Sequence, residues 1–123
     1  MKNVAVVGCT VTLKPGTGVA QITTQASLKV KADGKGVYCG PIDVSVSDYS
    51  DSVITVPGSG SGTITIQPSA QKVKIEGDYV ILEGDSGDAM IDGLAQQGQA
   101  QVAVKSKVTA KIELAGQVKV KAN

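Results

Sequence analysis

Apolar and polar residues alternate with a period of two along most of the chain. "VVGCTVTL" and "IDVSVSDY" both place an apolar residue at nearly every second position. Successive side chains of a β-strand point to opposite faces, so this period predicts strands with one buried face. The longest run lies near the C-terminal end and keeps one parity through Val102, Val104, Ser106, Val108, Ala110, Ile112 and Leu114. We therefore predict an all-β fold with long C-terminal antiparallel strands over about residues 101–121.

Two segments repeat each other at an offset of 43 residues: "KVKADGKGVYCG" (29–40) and "KVKIEGDYVILEG" (72–84). In each, Asp-Gly or Glu-Gly separates two alternating runs, which is the local signature of a tight β-hairpin. We predict hairpin repeat 1 over about residues 20–40 and hairpin repeat 2 over about residues 63–84. The predicted turn residues are Asp33, Gly34, Gly36, Glu76, Gly77 and Asp78. A second "KIE" at 111–113 hints at a third copy.

Three segments between these runs have turn-like composition. "PGSGSG" (57–62) predicts a mobile hairpin tip that joins the short strands "VITV" and "TITI". "EGDSGDAMIDG" (83–93) is rich in Asp and Gly and predicts a solvated acidic loop, and "LAQQGQAQ" (94–101) is where we predict a helical turn. The whole chain, 1–123, is predicted to be a single domain with a compact β-sandwich or cone-like body.

The composition favours strands and disfavours several partners. Val and Ile dominate the apolar residues, and the chain has no Phe and no Trp. All twelve basic residues are Lys, so bidentate phosphate contacts from Arg are absent and we expect no nucleic-acid partner. No stretch approaches the roughly 20 apolar residues of a membrane helix, and "VVGC" lacks the apolar stretch of a classical signal. We expect a protein without a membrane partner and without a classical signal peptide.

Few residues in the chain suit catalysis or metal binding. "GDSG" (84–87) matches the sequence around the nucleophile of trypsin-like proteases, but that mechanism needs a base and the chain has no His. Cys9 and Cys39 cannot form a four-ligand zinc site and suit buried thiols, with a single bridge between them left open. We predict no catalytic residue and no cofactor. A solvated turn or a weak Ca²⁺ site are the alternatives for Glu83, Asp85, Asp88 and Asp92.

The two hairpin segments, "SLKVKADGKGVY" and "SAQKVKIEGDYVILEGD", resemble the Gly-centred hairpin repeats of PAAR-like tip proteins. These proteins belong to contractile injection machines such as phage tails and type VI secretion systems. The resemblance covers about residues 4–93, and the opening "VVGCTVTL" is also similar to the start of some family branches. The best-known members bind zinc through His and Cys. Since this chain has no His, the resemblance carries over no metal site.

The resemblance implies a non-catalytic structural protein that docks on a trimeric spike or baseplate-like assembly. Such a protein would be cytoplasmic until it is assembled into a virion or injection particle. Repeated hairpins would let one chain mimic threefold symmetry and cap exposed strand edges, which are otherwise sites of unwanted pairing. Association with further copies of the same chain is also left open. The alternative function is a surface or virion binding module of the adhesin type, which would use "PGSGSG" and the acidic segment to hold a ligand or Ca²⁺.

Overall fold

The computed structural model describes all 123 residues and contains no helix. The predicted all-β fold is confirmed. The twelve strands are β1 (Lys2–Asn3), β2 (Thr10–Lys14), β3 (Thr17–Ile22), β4 (Lys31–Ala32), β5 (Lys35–Gly36), β6 (Ile42–Ser50), β7 (Gly60–Ile66), β8 (Lys74–Ile75), β9 (Asp78–Tyr79), β10 (Ser86–Gln97), β11 (Ala100–Leu114) and β12 (Lys121–Ala122).

Six strands form one antiparallel sheet in the order β2-β11-β10-β7-β6-β3, which curls until it is nearly closed. The alternating apolar residues predicted from the sequence line its inner face and are fully buried there, among them Ile42, Val44, Ile64, Ile66, Ile91, Val108 and Ile112. Burying a Val or Ile side chain contributes about 1.5–3 kcal/mol relative to leaving it exposed. The period of two therefore explains both the strands and the main core.

The long C-terminal hairpin pairs β10 with β11 from Ser86↔Lys111 to Gln97↔Ala100. The expected strand over 101–121 is shorter than predicted, because β11 ends at Leu114. Gly116 follows with φ +89, a left-handed conformation that breaks the extended chain. Val118 and Val120, which continue the sequence parity, lie outside the strand and are exposed.

The acidic loop and the helical turn predicted over 83–101 are wrong. Residues 86–97 form β10, a turn follows at Gly98 and Gln99, and residues 100 and 101 begin β11. Asp and Gly favour turns locally, but Ile91 is fully buried on the core side and every residue of β10 has a partner on β11. Pairing along the whole strand outweighs the turn preference of single residues.

The loop predicted at "PGSGSG" is shorter than expected, and the strand predicted at "VITV" is absent. Gly60 is buried as the first residue of β7, and "VITV" forms no strand but part of the connection from β6 to β7. A Cβ on Gly60 would lie 2.7 Å from the carbonyl oxygen of Tyr49 and 2.9 Å from its Cβ. Only glycine permits this approach of two backbones, so the residue is there for packing and not for flexibility.

Three two-stranded hairpins stand apart from the large sheet: β4–β5, β8–β9 and β1–β12. We call them the first, second and third hairpin, and together the three-hairpin end. They share a second apolar core formed by Val4, Val6, Ala32, Val37, Ala70, Val80, Leu82 and Ala122. The molecule thus has one core inside the curled sheet and another among the hairpins.

Candidate docking site

The three hairpins have the same register. Ala32 pairs with Lys35 in the first hairpin, Ile75 pairs with Asp78 in the second, and Ala122 pairs with Lys2 in the third. Two residues separate the paired positions in the first two hairpins. In the third hairpin Asn123 and Met1 take the corresponding places. The three hairpins are thus copies of one unit, and the third copy combines residues from both ends of the sequence.

The predicted turn residues divide into two groups. Asp33-Gly34 and Glu76-Gly77 are the turns themselves, with φ angles of 53° and 78° and of 55° and 91°. Positive φ at both central residues is the type I′ geometry, which the right-handed twist of hairpin strands favours. Gly36 and Asp78 lie instead in the returning strands β5 and β9. The hint of a third copy at 111–113 is wrong, since these residues lie inside β11.

Backbone hydrogen bonds join the three copies in a closed ring. The amide of Ala5 donates to the carbonyl of Ile81 (2.8 Å), the amide of Ile81 to that of Tyr38 (2.9 Å), and the amide of Tyr38 to that of Ala5 (3.0 Å). These residues hold the same place in each copy. Each segment donates to the next in the same way, so the three segments are related by an approximate threefold rotation. We call the axis of this rotation the pseudo-threefold axis.

A second set of hydrogen bonds repeats within the copies. The amides of Val37, Val80 and Val4 donate to the carbonyls of Val30 (3.2 Å), Val73 (3.2 Å) and Val120 (3.0 Å) respectively. Isolated bridges between neighbouring copies repeat as well, at Val4↔Leu82, Val6↔Val37 and Cys39↔Val80. The threefold likeness therefore holds both within the hairpins and between them.

The segment before each hairpin is fixed by its own polar contacts. In the first copy the side chain of Ser27 accepts the amides of Lys29 (3.3 Å) and Val30 (3.0 Å). In the third, the side-chain oxygen of Gln117 accepts the corresponding amides of Lys119 and Val120, both at 2.8 Å. The second copy has Ala70 at this place. There, the amides of Gln71 and Lys72 donate to the backbone oxygen of Asn123 at 3.0 and 3.2 Å.

Each copy presents the sequence Lys-Val-Lys on its surface. We call these nine residues, 29–31, 72–74 and 119–121, the lysine–valine ring. Val30, Val73 and Val120 are 39%, 39% and 42% exposed, so the three copies offer nearly the same apolar surface. All six lysines are exposed, and they make up half of the twelve in the chain. Lys119 pairs with Asp33 of the neighbouring hairpin at 3.1 Å.

The third Lys-Val-Lys was present in the sequence but was missed. "KVKAN" at 119–123 matches "KVKAD" at 29–33 in all but the last residue. The match could not be extended further along the chain because the returning strand of this hairpin is Lys2–Asn3. The third copy becomes visible only when the sequence is read as if residue 1 followed residue 123.

The four carboxylates considered for Ca²⁺ are directed to separate partners. Asp85 is buried and accepts hydrogen bonds from Ser69 Oγ and from the amide of Leu82. Glu83 accepts the amide of Ala115 at 3.0 Å. Asp88 accepts Thr109 Oγ1, and Asp92 lies 3.5 Å from Lys105 Nζ. The structure contains no group of three or more His, Cys, Asp or Glu side chains that could hold a metal ion.

Asp85 and Ser86 of the "GDSG" motif have different environments. The backbone carbonyl of Asp85 accepts the amide of Ile112 at 2.9 Å, so Asp85 ties the end of the second hairpin to β11. Ser86 is exposed as the first residue of β10. The motif is thus placed at the junction between the three-hairpin end and the large sheet.

Both cysteines are free thiols. Burial raises the pKa of Cys9. Burial also raises the pKa of Cys39, and the negative charges of Asp78 and Glu76 raise it further. Since the thiolate is the reactive form, these surroundings keep both side chains in their unreactive form near neutral pH.

A polar network around Asp51 lies at the gap between β2 and β3, the two edge strands of the large sheet. One carboxylate oxygen accepts Tyr49 Oη at 2.8 Å and Ser106 Oγ at 2.6 Å, and the other accepts the amides of Val53 and Ile54, both at 2.7 Å. Tyr49 Oη in turn accepts the amide of Gly16 at 2.9 Å. Asp51 therefore connects β6, β11 and the turn between β2 and β3, which flank the gap in the curled sheet.

The network shifts both acidic groups. Burial raises the pKa of Asp51, but the hydrogen bonds from Ser106, Ile54, Tyr49 and Val53 outweigh it, so the net pKa is lowered. Burial raises the pKa of Tyr49, and so does its hydrogen bond to Asp51. The folded structure thus holds Asp51 as a carboxylate and Tyr49 as a neutral phenol.

The lowered pKa of Asp51 predicts a loss of stability in acid. A group whose pKa is lower in the folded state stabilises the fold above its unfolded value, about 3.9, and this contribution disappears as the pH falls through the folded value. We expect the free energy of unfolding of the wild type to fall more steeply below about pH 4 than that of Asp51→Asn. Urea unfolding at several pH values measures both slopes, and parallel slopes would contradict the assignment.

Comparison of the chain with models of protein families, with curated proteins and with solved structures finds no match. The structure contains no helix long and apolar enough to cross a membrane. The resemblance to PAAR-like proteins accordingly rests on short sequence motifs alone.

Proposed function

We propose that this protein is a non-catalytic structural component that docks through its three-hairpin end on a threefold-symmetric, β-rich assembly such as a trimeric spike or baseplate. The observation that carries the proposal is the closed ring of hydrogen bonds through Ala5, Tyr38 and Ile81. A monomer with three equivalent surface elements around one axis can contact three identical subunits in nearly the same way. A domain without such repeats would present a different surface to each of the three subunits.

The lysine–valine ring supplies the chemistry for such a contact. Interfaces combine an apolar centre with polar surroundings and complementary charge. Val30, Val73 and Val120 would supply apolar contacts, and the six lysines would face carboxylates of the partner. We therefore propose a partner whose three subunits each present acidic residues beside an apolar side chain. Docking on a trimeric spike is also what the resemblance of the hairpins to PAAR-like proteins implies.

Reversing charge in the ring is expected to abolish docking. The protein, tagged, would be used to capture partners from a lysate of the cells that produce it, with the captured proteins identified by mass spectrometry. We expect the wild type to capture a homotrimeric protein, and the triple variant Lys31→Glu/Lys74→Glu/Lys121→Glu to lose it. Six units of charge change at the interface make this a large effect on association.

The control Lys105→Glu/Lys107→Glu/Lys111→Glu makes the same change of charge at exposed lysines of β11. This variant also breaks the ion pairs of these lysines with Asp92, Asp88 and Glu113, and its circular dichroism spectrum is compared with that of the wild type first. Exposed pairs contribute only about 0–1 kcal/mol each, so the variant should stay folded. It is expected to capture the partner as the wild type does. If both triple variants lose the partner equally, net charge and not the ring is responsible. A captured partner without threefold symmetry, or recovery of the tagged protein alone, would refute the proposal.

A further inference from the structure

One edge of β11 has no neighbouring strand over much of its length. β10 pairs with the full length of β11, whereas β2 pairs with it only from Thr109 onward. On the side away from β10, the backbone groups of residues 100–108 have no hydrogen-bond partner in the protein. The far side of β10 is different, since the amide of Val56 and the hydroxyl groups of Ser59 and Thr55 contact its end.

This free edge has only one of the usual features that prevent pairing, which is its lysines. Proteins protect edge strands with exposed lysines, proline, bulges, inward charges or a covering loop. Residues 100–108 contain no proline, and the irregular pairing of β11 lies at 112–114, beyond the free part. Its two lysines point to the polar face, where Lys105 lies 3.5 Å from Asp92 and Lys107 lies 3.8 Å from Asp88. The edge is therefore nearly neutral.

The other face of this segment is apolar and incompletely covered. Val102 and Val104 are half-buried, and they pair across to Ala95 and Gly93 of β10. A strand added to the edge would cover them if it placed apolar residues on the same face. Because the lysines already have acidic partners within the chain, an acidic strand is not required.

We propose that the free edge of β11 binds the same edge of a second copy of this chain, antiparallel and about a twofold axis at Ala103. In this register Val102 lies opposite Val104 of the second copy, and Lys105 lies opposite its Gln101. Apolar residues meet apolar residues and no lysine faces a lysine, so the edge is complementary to itself. The pairing uses both free edges and closes at a dimer, as an isologous interface must.

Sedimentation velocity over a wide range of protein concentrations tests this pairing. The wild type is expected to show a reversible dimer. Gln101→Lys/Ala103→Lys adds like charges at the axis and opposite Lys105 of the second copy, and should weaken dimerisation about tenfold or more. The control Ser61→Lys/Thr63→Lys adds the same charge to exposed positions of β7, which has a neighbour on each side. It should dimerise as the wild type does.

A mixture of single variants tests the register without relying on loss of association. Ala103→Lys and Ala103→Glu each repel themselves at the axis, and mixing them in equal amounts is expected to restore a dimer. A wild type that stays monomeric at every concentration refutes the inference, as does a mixture that associates no better than its components. The surface differs from the lysine–valine ring, so failure here leaves the proposed docking unaffected.

Discussion

Joining Asn123 to residue 1 by a peptide bond, with Met1 replaced by Gly, is expected to raise the free energy of unfolding by about 4 kcal/mol. Asn123 and Met1 stand where Asp33-Gly34 and Glu76-Gly77 connect the other hairpins, because Ala122 and Lys2 pair as Ala32 and Lys35 do. Asn-Gly suits the type I′ turn of those hairpins. The closed chain would lose conformational entropy mainly in its unfolded state.

Chemical unfolding of the cyclic and linear forms measures this difference. The linear Met1→Gly chain is the matched control, since it differs from the cyclic form only in the new peptide bond. A cyclic form that is less stable than this control would show that the two ends do not stand in hairpin geometry. The third hairpin would then not be equivalent to the other two.

Asp51→Ala is expected to lower the free energy of unfolding by about 3 kcal/mol or more. The substitution removes the acceptor for four donors, namely Tyr49 Oη, Ser106 Oγ and the amides of Val53 and Ile54. Hydrogen bonds to a charged group contribute about 1.5–3 kcal/mol each, and a buried donor without an acceptor adds a penalty. Tyr49 is fully buried, so its hydroxyl group has no access to solvent as a replacement.

Urea unfolding compares this variant with Asp43→Ala, a control at an exposed carboxylate that accepts Thr65 Oγ1. The control should lose less than about 1 kcal/mol, as surface substitutions usually do. Equal losses in the two variants would mean that the Asp51 network does not hold the gap of the sheet closed.

The sequence predicts the β-fold because one parity carries nearly all of the apolar residues in β6 and β11. It also predicts two hairpins, since Asp33-Gly34 and Glu76-Gly77 identify their own turns. Local composition is misleading where pairing decides the structure. β10 is rich in Asp and Gly but pairs along its whole length with β11. Gly60 resembles a linker residue, yet it is buried by its contact with Tyr49.

The candidate docking site was only partly predictable. Two of its three Lys-Val-Lys segments lie in the aligned repeats, whereas the third lies in a stretch assigned to the C-terminal strand. The relation between 119–123 and the first residues depends on where the two chain ends meet in space, and a linear pattern does not contain that information. The Asp51 network joins residues 16, 49, 51 and 106, and its long separations likewise leave no local signal.

Native mass spectrometry of the complex between this protein and its captured partner tests the central claim most directly. If the three-hairpin end docks on a threefold axis, the mass must equal three partner subunits plus one copy of this chain. One copy bound to each partner subunit would mean that the hairpins act separately. The pseudo-threefold axis would then have no part in docking.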